Sequence, residues 1–445
     1  MKKKLLPALI VTGLIILVVI IMGITALINK YTPTKKTEDL KEYFNISSDD
    51  EAALIVDNEL SDYKAKIIDK KIYVDYKFVH DSLNSRFYWD ANENVLLYTT
   101  ASDIISAASD SNSYSVTKQT NDFGYPIVKA TSDSALIALD YVKQYSNITF
   151  KSYDDPARIV ITSKWDEIDS ATVSKSTQVR VEGGIKSPIL KEVKKDDKIT
   201  ILDSGDKWDK IATEDGVIGY IKRKALSESK KTKLTNPDYE EETFTHIKKD
   251  KDICLAWNQV TSQSANSKVP QVISSTKGIN VMSPTWFYLN DNNGNLADIA
   301  SKDYVSYCHS QGIEVWGLFS NFENTDVDAA YVLTHTSTRT TLINQIMSAA
   351  FNYELDGVNI DFENITEAAY GDSYIEFIRE LAIKCHNNGI SLSVDVTVPA
   401  SFNKFFNRSD MANFADYIVI MGYDEHYKGS DAGSVSSIPW VTEGV

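Results

Sequence analysis

A short segment near residue 360 carries acidic and amide side chains in strict alternation with apolar ones. If it forms a strand, one face presents Asn359, Asp361 and Glu363, and the other face presents only apolar side chains. Neighbours on one face of a strand lie about 6.5 Å apart, so two carboxyl groups there perturb each other's pKa and one can stay protonated near neutral pH. Such a poised acid is what cleavage of a glycosidic bond requires.

Strands and helices alternate from Thr245 to the end of the chain. The predicted strands cover 253–257, 278–282, 313–319, 355–362, 390–398 and 417–421, and helices follow several of them. Repeated units of this kind predict a parallel (β/α)8 barrel of the triosephosphate isomerase type. Catalysis in that fold lies at the carboxyl ends of the strands, where Glu363 and Tyr423 fall. Because the barrel interior is normally apolar, the inward polar row favours a functional site over a buried ion-pair network.

Two motifs in this region carry a resemblance to a known family. Asp356, Gly357, Asp361 and Glu363 match the signature D-G-x-D-x-D-x-E, from which Asn359 departs, and residues 421–424 match M-x-Y-D. The sequence therefore resembles glycoside hydrolase family 18, which contains chitinases and N-acetylglucosaminidases. Residues 283–288 and 320–322 resemble the branch of this family that acts on spore cortex and wall peptidoglycan.

The resemblance implies a catalytic mechanism in which the 2-acetamido group of the sugar is the nucleophile. Glu363 is then the general acid and base, and Asp361 holds the acetamido N–H and stabilises the positive intermediate. Tyr423 donates a hydrogen bond to the acetamido carbonyl, and Asp424 contacts the sugar or tunes Glu363. Asn359 replaces a carboxylate that helps Asp361 to change partners, so an altered pH dependence is expected.

Other residues of the motifs receive lesser roles. Trp286 and Tyr288 are candidates for stacking on sugar rings, with ordinary packing as the alternative. Asp356 and Gly357 are expected to be structural, because Asp356 lies at an odd offset from the polar row. We expect no cofactor and no metal.

Composition narrows the classes of partner. The chain has 445 residues, a net charge of -16 and 43% hydrophobic residues, which fits several globular domains. The acidic balance without a long basic run argues against nucleic acid as a partner. The three cysteines, Cys254, Cys308 and Cys385, show no pairing or metal-binding spacing, so they predict neither a disulfide framework nor a reactive site.

The N-terminus predicts a membrane anchor within residues 1–36. Lys2, Lys3 and Lys4 precede an apolar run over 5–28 that is long enough to cross a bilayer as a helix. A cleavable signal peptide is the competing interpretation, but its apolar region is usually shorter and ends in an A-x-A-like site. An uncleaved single-pass anchor with the rest of the chain outside the cell is favoured.

Three segments lie between the anchor and the barrel. Residues 40–165, with a helix predicted over 134–145, resemble the α+β module named from the N-terminal domain of copper amine oxidases, here expected to be a spacer without copper. Residues 173–226 resemble a bacterial Src-homology-3-type barrel. Residues 227–244 are charged and polar, which predicts a linker.

The leading hypothesis is a membrane-anchored extracytoplasmic hydrolase of N-acetylated glycans, with peptidoglycan favoured over chitin as the polysaccharide. A second hypothesis is a catalytically weak glycan-binding protein of the cell wall. A third is a metal-dependent barrel enzyme, which is disfavoured because no other strand end supplies an obvious ligand set.

The strand count predicts an incomplete barrel. A closed barrel of this type has eight strands, whereas six are predicted here and 437–445 is expected to begin the next helix. An isolated piece covering 245–445 is therefore expected to aggregate and to be nearly inactive.

Overall fold

The computed structural model describes residues 2–445 except 364, 366 and 367. The chain folds into two compact units, each built from two stretches of sequence. Met1–Asp75 and Leu139–Glu240 form the first unit, and Tyr76–Ala138 and Glu241–Val445 form the second. These units do not coincide with the predicted modules, because residues 40–165 are divided between them.

The first unit begins with the helix Lys2–Tyr31. Within it, the 23 residues Leu9–Tyr31 have a hydropathy of 2.9 and are all exposed. At 1.5 Å per residue they extend over about 35 Å, enough for a hydrocarbon core of about 30 Å. Among the described residues, this is the one helix that is long and apolar enough to cross a membrane.

Two sheets make up the rest of the first unit. Five strands of one sheet follow the order Thr149–Tyr153, Arg158–Thr162, Glu51–Val56, Glu59–Ile68 and Lys71–Asp75. The other sheet is antiparallel, in the order Ile189–Val193, Thr177–Arg180, Ile218–Lys222, Trp208–Thr213, Lys198–Ser204, Glu167–Thr172 and Lys230–Lys233. The last of these strands lies inside the predicted linker. All of its side chains are exposed, so it has no apolar face that a sequence pattern could reveal.

The second unit is built around a parallel sheet of six strands in chain order. The strands are β1 (Leu255–Asn258), β2 (Val281–Leu289), β3 (Glu314–Ser320), β4 (Gly357–Asp361), β5 (Ser391–Thr397) and β6 (Tyr417–Met421). The main helices are Lys302–Ser310, Thr336–Tyr353 and Ala368–His386, with shorter helices Val269–Ser274, Ala329–Thr334, Arg408–Phe414 and Ile438–Gly444. Each of the six predicted strands overlaps an observed strand, although the second overlaps β2 only at residues 281 and 282, and β2 continues to residue 289. The described residues thus form part of a barrel-like sheet in which β1 and β6 do not pair with each other.

The two faces of β4 have different environments. Val358, Ile360 and Phe362 are buried in the hydrophobic core, and the Phe362 ring stacks on Phe377 of helix Ala368–His386 with centroids 5.4 Å apart. The apolar side chains therefore face the helices, as the alternation predicts. Asn359 and Asp361 lie on the opposite face, toward the interior of the sheet.

The segment Tyr76–Ala138 contributes an antiparallel meander to the second unit. Its strands are Phe87–Asp90, Val95–Thr99, Ile104–Ala108, Ser113–Val116 and Gln119–Asp122, after the helix Tyr76–Ser82. The Tyr88 and Ser373 hydroxyls are 2.8 Å apart, and the Thr99 hydroxyl donates to the Glu376 carboxylate at 2.8 Å. The meander is therefore joined by buried polar contacts to the helix that supports β4.

The end of this segment corrects one predicted helix. Residues 134–145 are predicted to be helical, but Ala135–Ala138 is a strand that pairs with Val128–Ala130, and the helix is limited to Leu139–Gln144. The buried apolar residues of this short strand are followed directly by those of the helix. In the sequence the two elements therefore look like one apolar pattern.

Candidate active site

A buried polar cluster surrounds Asn359, which is fully buried. Its Oδ1 accepts hydrogen bonds from the Trp257 indole N–H at 3.0 Å and from the Ser283 hydroxyl at 2.9 Å. Its Nδ2 donates to Asp395 Oδ1 at 2.9 Å. The four residues come from β4, β1, β2 and β5, so one amide side chain connects strands across the interior of the sheet.

Asp361 is the last residue of β4 and lies on the same face as Asn359. Its side chain is half-buried, and its Oδ1 atom has no hydrogen-bond partner among the residues that the structure describes. Burial, followed by the negative charges of Glu363 and Glu323, raises the pKa of Asp361 to about 7. This carboxyl group can therefore gain or lose a proton near neutral pH.

Glu363 follows the end of β4, with its side chain exposed to solvent. Partial burial and the charges of Asp424 and Glu323 raise the pKa of Glu363 above its usual value. A raised pKa suits a carboxyl group that must carry a proton before it donates it.

Tyr423 and Asp424 lie just beyond the end of β6. Tyr423 is 41% exposed, so its hydroxyl can be reached from solvent. Burial, then the charges of Asp361 and Glu363, raises the pKa of Tyr423 to about 12, which keeps the hydroxyl protonated as a hydrogen-bond donor. Asp424 is exposed and has a φ of 59°, a left-handed conformation that is uncommon outside glycine.

Two carboxylates near this cluster are missing from the residues predicted from sequence. Glu323 follows the end of β3, and both of its carboxylate oxygens lie 2.6 Å from the Ser320 hydroxyl. Asp395 lies on β5 and is only 2% exposed. Both could have been found as acids that occupy the interior face or the carboxyl end of a predicted strand.

The structure corrects the role considered for Trp286. Trp286 is fully buried, its indole N–H donates to Asn266 Oδ1 at 2.8 Å, and its ring packs edge-on against Tyr304. It is therefore a core residue with no face free for a sugar ring in this structure. Tyr288, on the same strand, is half-buried, so part of its surface remains accessible.

Asp356 and Gly357 have positions that explain their residue types. Asp356 Oδ2 accepts hydrogen bonds from the Val315 N–H and from His309 Nε2, both at 2.8 Å. A Cβ atom at Gly357 would approach the Trp316 ring to 2.6 Å, closer than real contacts allow. Trp316 in turn packs on Tyr417 with centroids 5.2 Å apart. Aromatic side chains therefore fill the interior below the polar cluster.

No group of three or more histidine, cysteine, aspartate or glutamate side chains in the described part of the chain is arranged to hold a metal ion. Glu323 and Asp395 do add acids at other strands, contrary to the expectation from sequence. All three cysteines are free thiols; Cys254 is exposed, and Cys308 and Cys385 are buried.

Comparison with known proteins places a family within this region. Residues 316–440 match the family model described as Glycosyl hydrolases family 18. The chain is also 25% identical over 165 residues to a protein of Bacillus subtilis named "Uncharacterized glycosylase YvbX", covering 34% of this chain and 47% of the relative. The chain thus spans less than half the length of the curated relatives it matches.

The comparison with solved structures finds similar chains at low identity. A chitinase from Chromobacterium violaceum is 20% identical with a TM-score of 0.38, covering 43% of this chain and 62% of that one. The spore cortex-lytic enzyme SleL of Bacillus megaterium is 19% identical with a TM-score of 0.37, covering 43% and 45%. The family match covers β4, β5 and β6, and with them Asn359, Asp361 and Asp395 of the polar cluster, whereas Trp257 and Ser283 lie outside the matched residues.

Proposed function

We propose that this chain is a membrane-anchored, extracytoplasmic glycosidase that hydrolyses β-linked N-acetylglucosamine-containing glycans, with peptidoglycan favoured over chitin. The observation that carries the proposal is the grouping of Asp361, Glu363 and Tyr423 at the carboxyl ends of β4 and β6, with the pKa of both carboxyl groups raised. The family match over 316–440 and the glycosylase named among the relatives support the same class of reaction.

The proposed reaction uses the acetamido oxygen of the substrate as the nucleophile. This oxygen forms a bond to the anomeric carbon while the bond from that carbon to the leaving oxygen breaks. Glu363 transfers its proton to the leaving oxygen in the same step. The product of the step is a cyclic oxazolinium ion, and its positive charge is stabilised by the ionised carboxylate of Asp361.

Water then completes the cycle. Glu363, now ionised, removes a proton from the water molecule that attacks the anomeric carbon, and the oxazolinium ring opens to restore the acetamido group. Two displacements at one carbon retain the anomeric configuration. Tyr423 supports both steps by donating a hydrogen bond to the acetamido carbonyl, a role that suits a hydroxyl with a pKa of about 12.

The activity is tested with the full chain in detergent micelles, incubated separately with purified peptidoglycan and with chitin oligomers. New reducing ends are identified by mass spectrometry, and proton NMR of the first product shows its anomeric configuration. We expect N-acetylglucosamine at the new reducing end of peptidoglycan fragments, first as the β-anomer. An α-anomer as first product contradicts the substrate-assisted mechanism.

Binding without cleavage of either glycan, under conditions in which a known glycosidase cuts both, contradicts the enzymatic proposal and favours the glycan-binding alternative. The matched control is Glu363→Gln, which preserves size and hydrogen bonding but cannot donate the proton. Cleavage at the wild-type rate in this variant assigns the activity to a contaminant or to another residue.

The proposed location uses the exposed thiol of Cys254. In intact cells that express the full chain, a membrane-impermeant maleimide should label Cys254 without lysis, and the protein should sediment with membranes. Cys254→Ser is the control, since Cys308 and Cys385 are buried and should remain unlabelled in the folded protein. Labelling that requires lysis contradicts an extracytoplasmic domain.

A further inference from the structure

Asp395 is a buried carboxyl group that the proposed mechanism does not use. It lies on β5, next to β4, where Ile360 pairs with Val394 in the register of the two strands. Continuing that register places Asp395 beside Asp361 on the interior face. The side chain is 2% exposed, so its carboxyl group is removed from bulk water. Burying a carboxyl group is costly unless its atoms are hydrogen-bonded or it is neutral.

The hydrogen bonds of Asp395 are incomplete on one side. Its Oδ1 accepts from Asn359 Nδ2 at 2.9 Å, whereas its Oδ2 is buried with no partner among the described residues. The same is true of Asp361 Oδ1. Two unpartnered carboxyl oxygens on adjacent positions of neighbouring strands are both satisfied if one of the groups is protonated and donates to the other.

We propose that Asp395 is a positioning residue that remains a neutral carboxylic acid and donates a hydrogen bond from Oδ2 to Oδ1 of the ionised Asp361. The role rests on the proposed function, in which Asp361 must be ionised and correctly oriented. Asn359 fixes the other oxygen of Asp395 as the acceptor. Asp395 thus supplies, from β5, the carboxyl partner that an amide at position 359 does not provide.

The electrostatic surroundings favour Asp395 over Asp361 as the holder of the proton. Burial and then the charge of Asp361 raise the pKa of Asp395 well above its usual value, and Glu363 adds to the rise. The Asn359 amide acts in the opposite direction by donating a hydrogen bond to Oδ1 of the carboxyl group. Two tyrosines also interact electrostatically with Asp395: Tyr374, from helix Ala368–His386, and Tyr423, after β6, have pKa values that are raised in part by its charge.

Two substitutions test whether Asp395 acts as a hydrogen-bond donor or only occupies volume in the site. Asp395→Asn keeps both functions of the neutral acid, because its carbonyl can accept from Asn359 and its amide can donate to Asp361. Asp395→Leu has a similar volume but neither function. We expect kcat to fall about tenfold or more in Asp395→Leu, with KM little changed, and to fall far less in Asp395→Asn.

The pH dependence of kcat/KM gives a second test. It should change if Asp395 donates a hydrogen bond to Asp361, but not if Asp395 only supports the fold. A donor to the ionised carboxylate lowers the pKa of Asp361, so its loss raises that pKa. Because Asp361 must be ionised for catalysis, the acidic limb of kcat/KM should move to higher pH in Asp395→Leu and stay in place in Asp395→Asn. Equal losses in the two variants without a shift of the limb, or full activity of Asp395→Leu, overturn the proposal.

A second measurement does not depend on turnover. The infrared difference spectrum between the wild-type chain and Asp395→Asn at neutral pH should contain the carbonyl band of a protonated carboxylic acid. The control is Asp416→Asn, because both carboxylate oxygens of Asp416 accept hydrogen bonds from backbone N–H groups, those of Leu392 and Ile247. If the band is missing, Asp395 is not a neutral acid, even if the wild-type chain hydrolyses glycans. If the band is present but the chain has no activity, the glycosidase proposal is refuted and the neutral state of Asp395 is retained.

Discussion

Asn321 holds the backbone of Glu363 through two hydrogen bonds. Asn321 Oδ1 accepts from the Glu363 N–H at 3.0 Å, and Asn321 Nδ2 donates to the Glu363 carbonyl oxygen at 3.3 Å. Glu363 lies beyond the last residue of β4, where no ladder of strand hydrogen bonds fixes it. A buried amide from the end of β3 therefore fixes the backbone of the proposed general acid.

Replacing Asn321 with alanine should lower kcat about 10- to 100-fold, because a shift of about 1 Å at a reacting group costs about that much. The proton affinity of Glu363 should change little. Steady-state kinetics on chitin oligomers measure the loss, with Asn388→Ala, an exposed amide that bonds Lys384, as the control. Wild-type kcat in Asn321→Ala means that the two bonds do not position the acid.

Glu363→Gln should reduce hydrolysis by about 10²- to 10⁴-fold, since the amide keeps the shape of the side chain but delivers no proton. Folding and glycan binding should be preserved, as measured by thermal unfolding and by cosedimentation with peptidoglycan. Turnover at the wild-type rate removes Glu363 from the mechanism.

Asp361→Asn should lower the rate about 10²- to 10³-fold on substrates that carry the acetamido group, because the positive intermediate loses its stabilising charge. The comparison substrate is a fully deacetylated chitin oligomer, which has no acetamido group to act as the internal nucleophile. If the wild-type chain cleaves fully acetylated and deacetylated oligomers equally well, the substrate-assisted mechanism is wrong.

Glu323→Gln tests the effect of a third carboxylate on the site. Its negative charge raises the pKa of both Asp361 and Glu363, so its removal should lower both values. The general acid must be protonated, and the alkaline limb of the pH–rate profile should therefore move to lower pH. The amide oxygen can still accept from Ser320, so stability should be preserved. An alkaline limb that does not move shows that Glu323 is screened from Glu363.

Asn359→Asp places a carboxyl group beside both Asp361 and Asp395. Like charges raise one another's proton affinity, so the acidic limb should move to higher pH while activity is retained. The amide Nδ2 donor to Asp395 is also lost, which raises the pKa of Asp395 and favours its neutral form. Identical profiles for the two proteins would show that position 359 does not communicate with Asp361.

The sequence contains enough to predict the polar row of β4, because alternation in a strand depends only on local geometry. The orientation of Val358, Ile360 and Phe362 toward the helices follows from the same alternation. The strand order follows from the repeated strand–helix units. Asp395 and Glu323 are visible in the sequence as acids on or just after predicted strands, but their position near Asp361 depends on the register between strands, which no local pattern encodes. The sequence leaves Trp286 as a candidate for a sugar contact, because an aromatic residue in a motif looks the same whether it is buried or exposed.

The meander of Tyr76–Ala138 has a consequence for how the protein is made. The hydroxyl partners Tyr88 and Ser373 are 285 positions apart in the chain. At about 5–20 residues per second, the ribosome needs roughly 15 to 60 s to reach the second after completing the first. During this delay the side of the meander that contacts helix Ala368–His386 lacks that partner, so the nascent chain exposes side chains that are buried in the folded protein. A chaperone that holds extended segments during synthesis is therefore expected to raise the yield of folded protein.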